Sequence, residues 1–190
     1  MKIVETKLKG AWLIDAEPMI DHRGFFVRTF CAREFAQCGL ETNFIQHSTS
    51  YSSAKGTRRG MHYQRTPHTE VKIVRCLKGA IWDVILDLRS RSPTYRQWQA
   101  FQLTAGTLRQ LYVPAGFAHG FQTLCDDTEI GYLMSAYYTS SAACGVRCDD
   151  PAFAIDWPLP PGPMSAADNE WPDFSDSECG TVHVSITGHG

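Results

Sequence analysis

The sequence has no long apolar run and no excess of charge of one sign. No segment approaches the roughly 20 apolar residues of a membrane-spanning helix. The first ten residues alternate charged and apolar side chains, unlike the apolar core of a signal peptide. We therefore expect a cytoplasmic protein with no membrane segment. The net charge of −2 offers no broad basic surface, so nucleic acid is not an expected partner.

Regularly spaced cysteine pairs are also missing. The seven cysteines are odd in number and scattered, and none forms a CxxC pair. A disulfide framework or a zinc knuckle is therefore not expected, and reduced structural thiols are the favoured interpretation. With 43% apolar and 20% charged residues, the composition is that of an ordinary globular domain.

Alternation of apolar and polar residues predicts short strands along most of the chain. Such runs cover residues 71–77, 80–88, 98–103, 108–113 and 129–138. The first two are joined by Lys78-Gly79, and we expect them to form a hairpin. A short helix is expected at residues 32–38, ended by Gly39. Many short strands separated by Gly and Pro turns predict an all-β sandwich, barrel or jelly roll with few short helices.

The chain is expected to form one domain over residues 1–175. The segment after Trp157 is rich in Pro, Asp and Ser and is expected to wrap the surface. Residues 176–190 carry little core signal. They are predicted to form a C-terminal tail that is disordered, as chain ends often are.

His62 is a candidate base because of its neighbours. It lies in Arg58-Arg59-Gly60-Met61-His62-Tyr63-Gln64. A lone histidine is more often structural than catalytic, but histidine is also the usual general base near neutral pH. The adjacent arginines, tyrosine and glutamine favour a functional site.

Lys72, Tyr132 and Asp168 each have a structural interpretation beside a functional one. Alternation places Lys72 on the face opposite Val71 and Ile73. If that face is interior, the ammonium needs an anionic partner; otherwise it extends to the surface. Tyrosine is common in strands, and Asp168 lies in a turn-like segment where aspartate is often a cap.

Pro114-x-Gly116-x-x-His119 has the form of the second cupin motif, whose histidine binds a metal in metal cupins. The first motif is broken, because Gln64 stands two residues after His62 where a second histidine is required. His68 and Glu70 are unsuitably spaced. We therefore expect no metal and no cofactor. A metal-dependent cupin enzyme, such as a sugar isomerase or dioxygenase, is the alternative, since mixed nitrogen and oxygen ligands can bind a metal weakly.

Six segments together resemble the dTDP-4-dehydrorhamnose 3,5-epimerase family, which has a cupin jelly-roll fold. The similarity extends over roughly residues 1–174, and the order and spacing of the segments are specific to it. They are Asp21-x-Arg23-Gly24-Phe25-Phe26, Arg59-Gly60-Met61-His62-Tyr63-Gln64, Lys72-Ile73-Val74-Arg75, Gly116-Phe117-Ala118-His119-Gly120-Phe121, Asp149-Asp150-Pro151 and Ile155-Asp156-Trp157-Pro158.

The resemblance implies an isomerase that inverts C3, C5 or both carbons of a nucleotide-linked 4-keto-6-deoxy sugar through an enolate. His62 corresponds to the base, and Asp168 to the aspartate that orients it. Lys72 corresponds to the lysine that faces the enolate oxygen, and Tyr132 to the acid on the other face. Substrate-binding positions of the family correspond to Arg23, Phe26, Arg28, Gln46, Ser48, Arg59, His119 and Tyr138. Family members are usually homodimers, often with the N-terminal strand added to the partner's sheet, and the alternation of residues 2–8 is compatible with such a strand.

Several positions differ from the family pattern. Arg28 replaces a usual glutamate, and His47-Ser48 replaces Asp-Asn after the glutamine. Glu70-Val71-Lys72 replaces Gln-x-Lys, and Ala167 replaces a lysine before the final aspartate. The catalytic positions are retained, so we hypothesise that the reaction is kept and the substrate is changed, for example to a CDP- or GDP-linked sugar. A third possibility is a non-catalytic sugar-binding cupin, but such a protein would not require both a base and an acid.

Overall fold

The computed structural model describes residues 1–175, and the predicted tail at residues 176–190 lies outside the described residues. The helices are α1 (Ala32–Gln37) and α2 (Ala166–Asn169), with 3₁₀ turns at Ala105–Thr107 and Ser140–Ala142. No helix in the described part of the chain is long and apolar enough to cross a membrane. The strands are β1 (Lys2–Glu5), β2 (Trp12–Asp15), β3 (Met19–Asp21), β4 (Gly24–Phe26), β5 (Gln46–Ser52), β6 (Arg58–Gln64), β7 (Lys72–Lys78), β8 (Ala80–Asp87), β9 (Trp98–Thr104), β10 (Arg109–Val113), β11 (Phe117–Thr123), β12 (Thr128–Met134) and β13 (Ala143–Gly145).

Two antiparallel sheets pack face to face as a cupin-type jelly roll, which confirms the predicted fold class. The larger sheet has the strand order β1-β2-β10-β7-β12-β5, and the smaller has the order β13-β6-β11-β8-β9. Strands β3 and β4 form a separate two-stranded hairpin. Because each sheet combines strands from distant parts of the chain, residues far apart in sequence meet at one end of the sandwich.

Apolar side chains fill the space between the sheets and also cover both outer faces. The interior cluster includes Val74 and Ile130 from the larger sheet and Ile85 and Phe121 from the smaller one. Phe35 of α1 packs in the cluster on the outer face of the larger sheet. The segment from residue 143 to residue 157 covers the outer face of the smaller sheet. Burial of this apolar area is the main favourable term in folding.

The predicted hairpin between residues 71–77 and 80–88 is wrong. Strand β7 belongs to the larger sheet, where it pairs with β10 and β12, whereas β8 belongs to the smaller sheet. The chain crosses between the sheets at Gly79, which has a φ of +83°. A Cβ there would lie 2.7 Å from the hydroxyl oxygen of Thr128. Since both strands contribute apolar residues to the core, they face each other across it instead of lying side by side.

The helix predicted at residues 32–38 is present as α1, and the strands β7 to β10 lie close to their predicted positions. The run predicted to extend to residue 138 ends at Met134, where β12 ends. Sequence patterns did not identify β5, β6 or β11. Strand β5 is almost entirely polar, and glycines interrupt the alternation in β6 and β11. These are the strands that form much of the candidate site.

Candidate active site

A cavity of about 740 Å³ opens between the two sheets. Eight of the predicted site residues line it, and they come from both sheets, from the loop after β12 and from α2. They are Ser48, Arg59, His62, Lys72, His119, Tyr132, Tyr138 and Asp168. The fold therefore brings the four predicted catalytic residues into one cavity.

His62 and Asp168 form a close pair at the cavity wall. His62 Nε2 lies 2.6 Å from Asp168 Oδ1. The backbone N–H of Gly60 donates to the other carboxylate oxygen at 3.2 Å. Asp168 donates its own N–H to Ser165 Oγ, the N-cap of α2, at 3.1 Å. The buried carboxylate is thus held in one orientation, and it fixes the orientation of the His62 ring.

Burial by itself would raise the pKa of Asp168. The hydrogen bond to His62, its charge, and the N–H of Gly60 outweigh burial, so the pKa of Asp168 lies below its usual value. The carboxylate is therefore ionised at neutral pH. An ionised carboxylate stabilises the imidazolium that forms when the histidine takes a proton.

A β-bulge at Gly60 places both Arg59 and His62 on the cavity. His119 pairs with His62 and Phe121 pairs with Arg59, so two steps on β11 match three on β6. Gly60 has a φ of +114°, and a Cβ there would lie 2.5 Å from the Cα of Gly120. Strict alternation would place residues three apart on opposite faces, and the extra residue of the bulge removes that conflict.

Lys72 faces the interior, and its anionic partner is Glu70. Lys72 Nζ lies 3.0 Å from Glu70 Oε1, and the two side chains are only 12% and 9% exposed. The ammonium also lies 3.5 Å from the carbonyl oxygen of His62. Glu70 lines the same cavity. The sequence pattern indicated Glu70 only as an unsuitably spaced metal ligand, so its contact with Lys72 was not predicted.

Tyr132 enters the cavity from β12, in the sheet opposite His62. Its hydroxyl is hydrogen-bonded to that of Ser50 at 3.1 Å. Burial raises the pKa of Tyr132 well above the usual value for tyrosine, and the negative charge of Asp83 adds to this effect. The phenol is therefore protonated at neutral pH and can donate a proton.

His119, which also lines the cavity, forms a second histidine–aspartate pair. Its Nε2 lies 2.7 Å from Asp83 Oδ1, and both side chains are buried. The His119 ring packs edge-on against Tyr132, with ring centroids 6.4 Å apart. Asp83 was missed by sequence analysis. An aspartate in the middle of the apolar run Ile81-Trp82-Asp83-Val84 was the available signal, because a buried charge requires a partner.

The histidines do not converge as metal ligands. Each directs Nε2 at a carboxylate, His62 at Asp168 and His119 at Asp83. Within residues 1–175, no group of three or more His, Cys, Asp or Glu side chains is arranged to hold a metal ion. The donor set therefore differs from the 3-His-1-Glu arrangement of metal cupins.

The remaining lining residues lie towards the cavity mouth. Arg59 donates from Nε to Ser52 Oγ at 3.2 Å and from Nη2 to the carbonyl of Tyr51 at 2.9 Å. Tyr138 is largely exposed, and its N–H donates to Gln46 Oε1 at 2.8 Å. Gln46 thus supports the segment that carries Tyr138 and does not itself line the cavity.

Three further predicted residues lie outside the cavity. Arg23 is exposed and paired with Asp21 at 2.6 Å. Phe26 is 63% exposed. Arg28 is exposed, and its guanidinium lies 4.0 Å from Glu34. Arg23 and Phe26 belong to the β3–β4 hairpin and its turn, which also exposes Met19, Ile20 and Phe25.

Comparison with known proteins gives consistent matches over most of the chain. Residues 5–176 match the dTDP-4-dehydrorhamnose 3,5-epimerase family. The dTDP-4-dehydrorhamnose 3,5-epimerase of Methanothermobacter thermautotrophicus is 39% identical over 158 residues, covering 83% of this chain and 84% of that protein.

Two solved structures are also similar. One is the dTDP-4-dehydrorhamnose 3,5-epimerase of Bacillus anthracis with TDP and PPi bound, with a TM-score of 0.88, 39% identity and coverage of 91% and 99% of the two chains. The other is ChmJ, a 3'-monoepimerase from Streptomyces bikiniensis in complex with dTDP-quinovose, with a TM-score of 0.83, 31% identity and coverage of 90% and 86%. By its sequence and its fold, the chain belongs to the dTDP-4-dehydrorhamnose 3,5-epimerase family.

Proposed function

We propose that this protein inverts C3, C5 or both carbons of a nucleotide-linked 4-keto-6-deoxy sugar of the dTDP-4-dehydro-6-deoxyglucose type. The observation that carries the proposal is the placement of His62 and Tyr132 on opposite sheets around one cavity that also contains Lys72. Inversion needs a base and an acid on opposite faces of the sugar ring. A binding module would need neither.

The first step is removal of a proton from a carbon next to the C4 ketone. The Nε2 of His62 is held by Asp168, which leaves Nδ1 to accept the proton. The C–H bond breaks, and its electron pair moves into the ring to form an enolate with the charge on the C4 oxygen. Lys72 supplies an N–H near that oxygen, in a cavity where a fixed cation acts more strongly than in water.

The second step returns a proton to the same carbon from the other face. Tyr132 is protonated at neutral pH because burial raises its pKa, so it can donate to the enolate. A new C–H bond forms with the opposite configuration, and the phenolate and imidazolium then exchange protons with solvent. The mechanism uses side chains alone, without a metal or a cofactor.

We also propose a homodimer in which the β3–β4 hairpin of one protomer completes the cavity of the other. The Lys72 ammonium is paired with Glu70, whereas in the described part of the chain the Arg59 guanidinium donates to a hydroxyl and a backbone carbonyl, which leaves Arg59 as a cation for a diphosphate. Arg23 and Arg28 lie outside this cavity and are exposed. A second protomer would supply them, and it would also cover the exposed apolar side chains of the hairpin. Strand β1 pairs with β2 and lies at the edge of the larger sheet, a position from which a strand can add to the sheet of a partner.

We propose a cytoplasmic location for this activity. The six cysteines in the described part of the chain are all unpaired thiols. Free thiols persist in reducing compartments, whereas secreted proteins usually oxidise them to disulfides.

The test is turnover of enzymatically prepared 4-keto-6-deoxyhexose linked to dTDP, CDP or GDP, with the sugar configuration read by NMR. Wild-type protein should give an inverted product and His62→Ala should give none. Preference for CDP or GDP would support the substrate change hypothesised from Arg28 and His47, and preference for dTDP would refute it. Metal analysis of the same protein distinguishes this proposal from a metal-dependent cupin enzyme. Stoichiometric iron, manganese or zinc that is required for turnover would indicate the metal-dependent enzyme.

A further inference from the structure

Glu70 places a negative charge inside the proposed substrate cavity, beside a residue that must act through its positive charge. Its carboxylate lies 3.0 Å from Lys72 Nζ, and the Glu70 side chain is 9% exposed. An anion in a cavity for a diphosphate substrate repels the substrate and weakens its binding. The proposed steps at His62 and Tyr132 do not use Glu70, so its position requires a separate explanation.

The loop that carries Glu70 is fixed at both ends. At its start, the Gln64 amide donates to the carbonyl of His68 at 3.1 Å and accepts from the N–H of Thr139 at 2.7 Å. At its end, the N–H of Val71 donates to Ser135 Oγ at 2.8 Å. Hydrogen bonds therefore hold the backbone on both sides of Glu70, and its carboxylate can keep the Lys72 ammonium in place.

Lys72 is a mobile partner because its ammonium sits on a four-carbon stem with many rotamers. A diphosphate in the cavity would attract this ammonium strongly, and a lysine that pairs with phosphate is no longer beside the sugar ketone. The ammonium has three N–H groups. One faces Glu70 at 3.0 Å and another lies 3.5 Å from the His62 carbonyl, so the third is left for the C4 oxygen.

We infer that Glu70 is a positioning residue that holds the Lys72 ammonium at the sugar end of the cavity and keeps it from pairing with the diphosphate. This inference rests on the proposed function. Because the Glu70 carboxylate offsets the field of Lys72 towards the phosphates, Arg59 is left as the stronger attraction for phosphate. The substrate is then oriented with its diphosphate towards the cavity mouth and its ketone towards Lys72 and His62.

A binding measurement tests the inference without relying on activity. Calorimetry with inorganic pyrophosphate would compare four proteins: wild type, Glu70→Ala, Lys72→Ala and the double variant. Glu70→Ala frees the ammonium and is expected to bind pyrophosphate about tenfold more tightly, as a new charge-assisted hydrogen bond would give. In the Lys72→Ala background the same loss of Glu70 should give a clearly smaller gain, since only the repulsion by the carboxylate itself is removed there. An unchanged affinity in Glu70→Ala, or an equal gain with and without Lys72, would overturn the inference.

Turnover gives the second readout. In Glu70→Ala we expect kcat to fall about 10- to 100-fold, because the ammonium is misplaced, while KM does not rise. Loss of Glu70 should add nothing to the loss in Lys72→Ala, as expected for residues that act as a unit. Additive losses would contradict a role through Lys72.

Glu70→Gln keeps an acceptor oxygen and a nearly identical shape but removes the charge. It therefore still tests the inference if Glu70→Ala fails to fold. It should lie between wild type and Glu70→Ala in both measurements, and an unchanged pyrophosphate affinity and kcat would count against the inference. If wild-type protein turns over no 4-keto sugar, the proposed function fails. The pyrophosphate measurements would still show whether Glu70 controls Lys72.

Discussion

His62 and Tyr132 belong to different sheets of the sandwich, on β6 and β12, yet both line the same cavity. Neither residue is near the other in sequence. The jelly-roll topology brings them together, and the side chains around them suit them to the opposite roles that we propose. Asp168 orients the His62 ring, and burial raises the pKa of Tyr132 further above neutral pH.

Tyr132→Phe should separate proton removal from inversion. His62 can still remove the proton and return it to the same face, so exchange of that hydrogen with solvent should continue. Inversion should fall by about 10²- to 10⁴-fold, the usual contribution of a general acid. NMR in D2O measures both quantities in one sample. If Tyr132→Phe inverted the carbon at the wild-type rate, another group would be the acid.

Asp168 should contribute to stability in a pH-dependent way. Its pKa is lowered in the folded protein, so its contribution is complete above the unfolded value of about 4 and is lost as pH falls through the lower folded value. Asp168→Asn should therefore destabilise the protein at pH 7, and the difference from wild type should shrink towards pH 3. Urea unfolding of both proteins at the two pH values measures this. A difference independent of pH would mean that the charge of Asp168 does not contribute.

Gly60→Ala should damage both the bulge and the catalytic pair. The added Cβ would lie 2.5 Å from the Cα of Gly120 and 2.7 Å from the His119 carbonyl oxygen, and neither backbone atom can move freely. We expect a loss of about 1–3 kcal/mol in unfolding free energy, as for other overpacked sites, together with a loss of turnover. Gly106→Ala is the matched control, since nothing lies within 4 Å of its added Cβ. Equal stability of the two variants would contradict the steric account.

If each cavity is completed by Arg23 of the other protomer, His62→Ala and Arg23→Ala should each be inactive alone. Mixed dimers of the two variants should recover activity. In a hybrid of His62→Ala and Arg23→Ala protomers, one cavity keeps its own His62 and receives an intact Arg23 from the partner. Random mixing should recover about a quarter of wild-type turnover, since half of the dimers are hybrids with one intact site each. Activity of the mixture measured after co-refolding checks this. If it equals the average of the two variants, Arg23 acts within its own protomer or not at all.

Sequence patterns located many of the strands, and the residues predicted to be catalytic line one cavity, but the patterns did not show how the strands pair. Alternation located β7 and β8 but did not show that they lie in different sheets. Periodicity indicates which face of a strand is apolar, and it does not indicate which strand lies beside it. The bulge at Gly60 breaks alternation, so no periodic rule could place Arg59 and His62 on one face. The contacts of Asp83 with His119 and of Glu70 with Lys72 could not be predicted from sequence patterns, because the fold brings these residues together.

The most direct test of the central claim is hydrogen exchange in D2O with a dTDP-linked 4-keto-6-deoxyhexose, followed by NMR of the sugar protons. We expect wild-type protein to replace the C3 proton, the C5 proton or both with deuterium, and His62→Ala to lose this exchange. The pattern of loss shows which carbons react. Exchange that proceeds at the wild-type rate in His62→Ala would contradict the assignment of His62 as the base.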